Sequence, residues 1–258
     1  MPGSEIDAGA ALAAAARLGP YFAWEPVDDD PGWRPLTDLL DPEVIAERVG
    51  AGQQVLMRMS GLGTDAIGER VVASTIFLGL ASRLVSPLLA AAALSGTLPR
   101  ADPDRMWWRA VGSGPLPLAY GETGVTTHHE DLLTLVGPVL DVFQARYVLS
   151  PQVLWGNVAS ALGGAAGMIA DNAHDPVAAE RAAGLVAELL TQPPLRGMAT
   201  LHHPDPGRAR WFLERHNCCL YYRIPGGGTC GDCVLTPAAD RQRHWRAVLS
   251  RGAQWPGD

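Results

Sequence analysis

The sequence predicts an α+β fold, predominantly helical with a few short strands, and three observations support this class. First, 47% of the 258 residues are hydrophobic and 18% are charged, which is typical of a chain that buries a sizeable core. Second, helix-capping residues stand directly before proline at five places. Third, the runs that favour strands are short and bounded by glycine or proline, without the regular alternation of a doubly wound sheet.

Helix starts are the clearest local signals. A side-chain oxygen at the N-cap accepts a free backbone N–H, and proline suits the first helical position because it has no N–H to lose there. Thr127 with Glu130 has capping-box spacing and predicts a helix over 132–147. Residues 65–83 are predicted as a further helix, and the alanine-rich stretch 10–16 as a short amphipathic or frayed one. The capping residue and proline pairs predict five more starts: Asp41-Pro42, Ser86-Pro87, Ser150-Pro151, Asp175-Pro176 and Thr236-Pro237.

Strands are predicted where β-branched or aromatic residues lie between glycine or proline. The predicted strands are 54–59, 106–111, 116–120 and 220–224.

No membrane span is expected from the sequence. The longest apolar region, 71–98, is interrupted by Arg83 and Pro87, and neither uncharged piece reaches the roughly 18 residues that a span requires. The start of the chain carries Glu5 and Asp7 but no base, unlike a secretory signal. We expect a cytoplasmic protein, with peripheral attachment to the inner membrane face left open.

The charged residues exclude several chemistries. All 20 basic residues are arginine, which excludes a Schiff-base lysine, a Walker-type phosphate lysine and a Ser-Lys dyad. The net charge of −7 argues against general nucleic-acid binding, which needs a basic face. The charge is uneven, because residues 205–258 hold eight arginines against five acids, whereas 1–204 hold twelve against twenty-two. The C-terminal end is therefore basic in an otherwise acidic chain.

All four cysteines lie within sixteen residues, as Cys218-Cys219, ten residues, and then Cys230-x-x-Cys233. Disulfides would be reduced in the cytoplasm, and bridges in so short a segment constrain little of the unfolded chain. The second pair, Cys230-x-x-Cys233, suits a structural zinc ion. Such an ion is usually bound by two spaced pairs, however, and here the first pair is two adjacent cysteines. A two-iron cluster needs four thiolates over a wider span, which an adjacent pair serves more readily.

At these residues the sequence resembles the FhuF-type ferric-siderophore reductases, whose C-terminal motif binds a [2Fe-2S] cluster. The resemblance lies in the cysteine spacing, in the flanking segments 220–223 and 226–233, and in 154–162 upstream. It implies a one-electron reduction of an Fe(III)-siderophore, of the hydroxamate type, that releases Fe(II) in the cytoplasm. It also implies a C-terminal cluster-binding loop, followed by a helix, whose [2Fe-2S] ligands are Cys218, Cys219, Cys230 and Cys233.

The resemblance also suggests how the chain is organised. We expect residues 1–204 to form a mainly helical substrate-binding domain and 205–258 a [2Fe-2S] cluster-binding segment, packed together as one compact unit.

Further residues are candidates for the same site. Arg215 and Arg223 are expected to offset an anionic cluster, and His216 to tune its potential or carry a proton. Arg83 stands alone in an apolar helix, where it forms either an internal salt bridge or a substrate contact. Trp155 is a candidate for lining the substrate pocket.

One helical stripe has almost no side chains. Gly156, Ser160 and Gly164 recur every four residues, and because glycine weakens a helix interior, something must approach that stripe closely. Either a neighbouring helix packs there, or the stripe is the wall of a ligand pocket.

Electrons are expected to come from a partner, because no G-x-G-x-x-G follows a predicted strand. The expected donor is a ferredoxin or a flavin/NAD(P)H reductase, docked on the basic C-terminal end. Two other functions stay open: a zinc-stabilised interaction domain without redox activity, and an iron-sulfur redox or iron sensor or electron shuttle.

Overall fold

The computed structural model describes residues 7–63 and 66–251. The predicted class is confirmed: helices dominate, the strands are short, and a helix follows the cysteines. The α-helices of the described residues are α1 (Ala8–Ala16), α2 (Pro42–Ser60), α3 (Glu69–Ser95), α4 (Val136–Tyr147), α5 (Pro151–Asn172), α6 (Pro176–Thr191) and α7 (Ala238–Arg251). The strands are β1 (Glu25–Pro26), β2 (Arg34–Pro35), β3 (Leu98–Pro99), β4 (Met106–Trp108), β5 (Leu118–Tyr120), β6 (Val125–Thr126), β7 (Ala199–His202) and β8 (Phe212–Arg215).

Helix α3 lies at the centre of the fold. Eighteen of its 27 residues are buried, and α1, α2, α4, α5 and α6 all pack against it. Apolar residues on every side are what a helix surrounded by neighbours requires. The predicted helix over 65–83 is therefore the first part of a longer one, and Asp65 lies outside the described residues.

Three of the predicted caps are confirmed. The side chains of Asp41, Ser150 and Asp175 accept backbone N–H groups at the starts of α2, α5 and α6, at 2.8, 3.3 and 2.9 Å. Helix α7 begins at Ala238, directly after the predicted Thr236-Pro237 pair. Asp7 caps α1 by accepting the N–H of Ala10 at 2.7 Å, which confirms the alanine-rich helix.

The helix start predicted at Ser86-Pro87 is wrong, because α3 continues through it. A proline inside a helix cannot donate to the carbonyl four residues earlier, which here belongs to Arg83. That carbonyl accepts the indole N–H of Trp24 at 3.0 Å instead. Tertiary packing on both sides of Pro87, together with this replacement hydrogen bond, keeps one helix where the local pattern indicates two.

The capping box predicted at Thr127 and Glu130 is also wrong. A 3-10 helix covers His129–Leu133, and α4 begins only at Val136. The N-cap of the 3-10 helix is His128, which makes no side-chain cap; the hydroxyl oxygen of Thr126 accepts the N–H of His128 at 3.1 Å in the turn just before the helix.

Two predicted strands are confirmed in part, because β4 covers the first three residues of 106–111 and β5 covers the last three of 116–120, whereas the strand predicted over 54–59 is wrong. Strands β4 and β5 pair antiparallel inside a four-stranded sheet of order β1-β5-β4-β2. Residues 54–59 belong instead to α2, which runs from its Asp41 cap to Gly61, where a φ of 65° ends it. A short apolar run fits a helix as well as a strand, and here the capped helix continues through it.

The β7–β8 hairpin connects the cysteine segment to the helical body. Its strands pair antiparallel from Ala199↔Arg215 to His202↔Phe212, so the predicted boundary between residues 204 and 205 falls in the connection between them. The hairpin packs on glycines of α5: a Cβ on Gly163 would overlap Leu213, and one on Gly167 would overlap Arg210.

Helices α3 and α5 are long and apolar enough to cross a membrane by length and composition alone. Their most apolar windows are 78% and 67% buried inside the protein, as in the core helices of a folded domain.

Candidate metal centre

The four cysteines lie on one loop, residues 216–237, between β8 and α7; we call it the cysteine loop. The strand predicted over 220–224 is wrong: Leu220 takes a left-handed φ of 69°, and a single 3-10 turn follows over Tyr221–Arg223. Further along, Gly226 and Gly228 take φ of 76° and 69°, which glycine adopts without strain. These reversals bring the second cysteine pair back towards the first, and a strand could not do this.

The geometry brings the two pairs together. The sulfurs of Cys219 and Cys230 are 3.7 Å apart, although eleven residues separate them in the chain. All four cysteines are free thiols; Cys219 and Cys233 are buried, and Cys218 and Cys230 are half-buried. The loop is thus a set of four unbridged sulfurs with two of them reaching the surface.

The four sulfurs do not converge on one point. Within residues 7–63 and 66–251, no group of three or more His, Cys, Asp or Glu side chains is arranged to hold a single metal ion. A structural zinc ion needs four ligands in a small tetrahedron. Two irons bridged by sulfides take the same four thiolates over a wider span. Four thiolates that include an adjacent pair therefore suit a two-iron group by their number and donor chemistry.

The thiols differ in how readily they ionise. The pKa of Cys219 is lowered to about 6, chiefly by a hydrogen bond from the Cys230 thiol. That same bond and burial raise the pKa of Cys230, and burial raises the pKa of Cys218. Because the thiolate is the metal-binding form, binding of a metal group to these cysteines is coupled to the loss of thiol protons.

Backbone N–H groups support an anionic group bound at the sulfurs. Leu220 donates its N–H to Cys218 Sγ at 3.3 Å, and Leu235 donates to Cys233 Sγ at 3.4 Å. The spacing is the same in both cases, two residues after the cysteine, so each half of the motif builds the same local contact. Hydrogen bonds to the sulfurs are among the interactions that set the potential of an iron–sulfur cluster. The chemistry of this donor set fits a [2Fe-2S] cluster.

A buried polar network ties the cysteine loop to the core helices. Asn157 of α5 donates to the Ser74 carbonyl of α3 at 2.9 Å and accepts from the Arg215 guanidinium at 2.8 Å. Ser74 donates its hydroxyl to the carbonyl of Cys219 at 2.8 Å. Asn217 accepts a second bond from Arg215 at 2.9 Å.

The sequence reasoning did not identify Ser74, Asn157 or Asn217 as part of the site. The available signal was Asn157 itself, because a polar side chain on the apolar face of a helix requires a buried partner.

The side chains of Arg223 and His216 were predicted to tune the cluster. Neither has a described hydrogen bond to a cysteine. Arg223 is exposed and donates to the Tyr222 hydroxyl at 3.2 Å. His216 lies 3.0 Å from the Gly197 carbonyl and 2.8 Å from the Thr200 hydroxyl, through its two ring nitrogens.

Arg83 forms no salt bridge with a described residue, which corrects the first of the two expectations for it. Its guanidinium donates to three backbone carbonyls, those of Pro20, Ala23 and Leu116, at 2.6 to 2.7 Å. Burial lowers its pKa to about 10. Arg83 therefore joins separate segments around α3, and its cavity of about 230 Å³ contains no residue of the cysteine loop. A substrate contact stays a prediction.

Two cavities meet at the small-residue stripe of α5. The loop-side cavity, of about 240 Å³, is bounded by Ser160 and Gly164 on one side and by Gly231 and Asp232 of the cysteine loop on the other. An apolar cavity of about 340 Å³ shares Ser160 and Gly164 and extends to Leu18, Phe22 and Leu78. Trp155 packs against the hydrophobic core and lines neither of these two cavities. The predicted substrate role of Trp155 stays a prediction.

Gly156, the first residue of the stripe, has a different neighbour. A Cβ on Gly156 would overlap the side chain of Asn217, whereas a Cβ on Gly164 would meet no atom within 4 Å. The close approach predicted from the stripe is therefore made by the cysteine loop and not by another helix.

Comparison with known families agrees with this site. Residues 215–235 match the family model described as the FhuF 2Fe-2S C-terminal domain. The match spans all four cysteines and confirms the resemblance drawn from their spacing. It indicates a [2Fe-2S] cluster as the cofactor. No curated protein matches the chain.

Proposed function

We propose, from the premise of a FhuF 2Fe-2S C-terminal domain at residues 215–235, that this chain is a cytoplasmic ferric-siderophore reductase. Its substrate is an Fe(III)-siderophore of the hydroxamate type, and its product is Fe(II). The observation that carries the proposal is the cysteine loop, in which Cys218 and Cys230 are half-buried while Cys219 and Cys233 are anchored in the core. An electron-transfer site needs some ligands that are held rigidly by the protein and others that lie close enough to the surface for a redox partner to approach.

Cys218, Cys219, Cys230 and Cys233 would hold the [2Fe-2S] cluster, which would supply one-electron transfer between a donor and Fe(III). Hard siderophore oxygens hold Fe(II) much less tightly than Fe(III), so one electron suffices to loosen the iron. No proton transfer or nucleophile is required of the protein. The residues of the loop have the task of holding the thiolates and the backbone N–H donors in place.

The loop-side cavity is the approach that best suits the substrate. It reaches Gly231 and Asp232, which lie between two of the cysteines, and it shares the lining residues Ser160 and Gly164 with the apolar cavity. A siderophore is larger than either cavity alone, so the groove formed by both would hold one arm of it near the loop. The absence of side chains on this part of α5 leaves the groove open.

The donor is proposed to be a ferredoxin or a flavin/NAD(P)H reductase that docks on the outer face of the loop. Tyr222, Val234 and Leu235 are exposed there, at 44%, 37% and 50%. Arg223 and, on α7, Arg246 form no ion pair with a described residue and are free to attract an acidic partner. Electron transfer from such a donor slows as salt is added; a rate that does not depend on salt rules out electrostatic docking.

The deciding experiment uses the anaerobically purified chain. Its visible spectrum is recorded before and after dithionite reduction, and then after a ferric hydroxamate siderophore is added with a chelator that reports Fe(II). Bleaching followed by recovery of the absorption, with one Fe(II) trapped per electron, supports the reductase. The gallium(III) form of the siderophore is the control, because it binds alike but accepts no electron.

Other outcomes identify the alternatives. Bleaching without reoxidation by any siderophore overturns the reductase and leaves a redox sensor or electron shuttle. A colourless, zinc-containing protein that stays colourless after cluster reconstitution overturns the redox proposal as a whole.

A further inference from the structure

Arg215 is a buried cation without a carboxylate partner. Its side chain is fully buried, with 0% of the residue exposed. One of its terminal nitrogens donates to Asn157 and Asn217, but Nε and the other terminal nitrogen have no hydrogen-bond partner. No described acid lies within salt-bridge distance of it. The Arg215 guanidinium is therefore a buried cation that no ion pair with a described residue neutralises.

Two other arginines that burial shields from water have compensating partners. Arg83, 2% exposed, gives its donors to three backbone carbonyls. Arg210, which is part-buried, pairs with Asp171 at 3.1 Å. Arg215, beside the cysteine loop, differs from Arg210 in forming no ion pair with a described acid, and it differs from Arg83 in leaving two of its nitrogens without a described hydrogen-bond partner.

The surroundings of Arg215 hold it in that position. Asn157 is fixed by Ser74, and Asn217 occupies the space that Gly156 leaves by lacking a Cβ. The backbone N–H of Arg215 donates to the Asp232 carbonyl at 3.0 Å, which joins β8 to the second half of the cysteine loop. Asn217 directly precedes Cys218, and Ser74, which Asn157 contacts, donates its hydroxyl to the Cys219 carbonyl, so the guanidinium lies beside the first cysteine pair.

We propose that Arg215 is the buried counter-cation of the [2Fe-2S] cluster, and that Asn157 and Asn217 are the positioning residues that hold it there. Four thiolates on a two-iron centre carry net negative charge, and reduction adds one more. A fixed positive charge nearby therefore stabilises the reduced form more than the oxidised form and raises the reduction potential. Arg223 carries the same charge and lies on the cysteine loop itself, but it is exposed, where water and salt screen it.

The inference rests on the [2Fe-2S] cofactor and not on which substrate the protein reduces. Its test therefore uses no siderophore, so that failure of this inference and failure of the proposed reductase are told apart.

The experiment is a potentiometric titration of the loaded protein, followed by visible absorption. Arg215→Met removes the charge and keeps much of the side-chain volume. We expect at least a tenfold fall in the reduced-to-oxidised ratio at a given potential, which is 59 mV for a one-electron couple. Arg223→Met is the matched control and is expected to change that ratio by less than twofold. Arg215→Lys, which retains a charge, is expected to shift the ratio less than Arg215→Met.

A second variant guards against failure of Arg215→Met to load the cluster. Asn217→Asp differs little in size and places a carboxylate at the oxygen 2.9 Å from Arg215. We expect it to shift the potential in the same direction as Arg215→Met. The proposal is overturned if both variants load the cluster and their reduced-to-oxidised ratios at a given potential stay within twofold of the wild-type ratio. If Arg215→Met does not load, a wild-type potential in Asn217→Asp overturns it.

Thermal unfolding separates a counter-cation from a merely structural residue. Without the cluster the charge of Arg215 is uncompensated, so cluster-free Arg215→Met is expected to melt no lower than the cluster-free wild type. With the cluster, the variant is expected to melt below the wild type. An equal fall in both forms indicates a structural role alone and refutes the proposal.

Discussion

The same substitution at two glycines of α5 is expected to have opposite effects on stability. At Gly164 an added methyl group meets no atom within 4 Å, so alanine gains helix propensity of about 0.5–1 kcal/mol. At Gly156 the methyl group would occupy the position of the Asn217 side chain. Asn217 must then turn away and lose its hydrogen bond from Arg215.

The size of the second effect follows from that bond. A hydrogen bond to a charged group contributes about 1.5–3 kcal/mol, and the helix gain of up to about 1 kcal/mol offsets part of its loss. Gly156→Ala is therefore expected to destabilise the protein by about 1–2 kcal/mol, while Gly164→Ala stabilises it. For a chain of this size each kcal/mol moves the melting temperature by roughly 2–4 °C.

The assay is thermal unfolding followed by circular dichroism, with cluster retention read from the visible absorption of the same samples. A double-mutant cycle isolates the cause: in an Asn217→Ala background the obstructing side chain is gone, so Gly156→Ala is expected to lose its cost. Equal stabilisation by Gly156→Ala and Gly164→Ala would refute the packing of the cysteine loop on α5.

Three further predictions concern the cysteines, the groove and Arg83. Cys230→Ser removes a sulfur ligand and is expected to lose or shift the visible absorption; an unchanged spectrum of the reconstituted variant would contradict the assignment of Cys230. Gly164→Leu fills the groove and is expected to raise the KM for a ferric siderophore several-fold at an unchanged cluster potential, whereas Gly184→Leu, an exposed and unobstructed site on α6, is expected to leave KM unaltered. Equal KM values in the two variants would place the substrate elsewhere. In Arg83→Lys the lysine cannot reach three carbonyls in the same geometry. The variant is expected to lose roughly 1–3 kcal/mol of unfolding free energy for each carbonyl left unsatisfied, with the cluster spectrum retained. Denaturant unfolding measures this loss, and a loss below about 1 kcal/mol would show that water replaces the guanidinium.

The local signals in the sequence were sufficient for the features that depend on neighbouring residues. Caps at Asp41, Ser150 and Asp175 were predicted because a cap and its N–H lie two or three residues apart. The loss of a helix start at Pro87 could not be predicted, because the indole of Trp24 that takes up the released carbonyl comes from 59 residues away.

The functional site divides in the same way. The sequence by itself identified the candidate ligands and the cofactor, since all four cysteines lie within sixteen residues and within the match to the FhuF 2Fe-2S C-terminal domain. Only the tertiary structure distinguished Arg215 from Arg223. Both are arginines within eight residues of a cysteine pair, but helix α5 covers the first and leaves the second in water. Burial decides how strongly a charge acts on its neighbours, and burial depends on which distant segment packs above a residue, a property that its own sequence context does not contain.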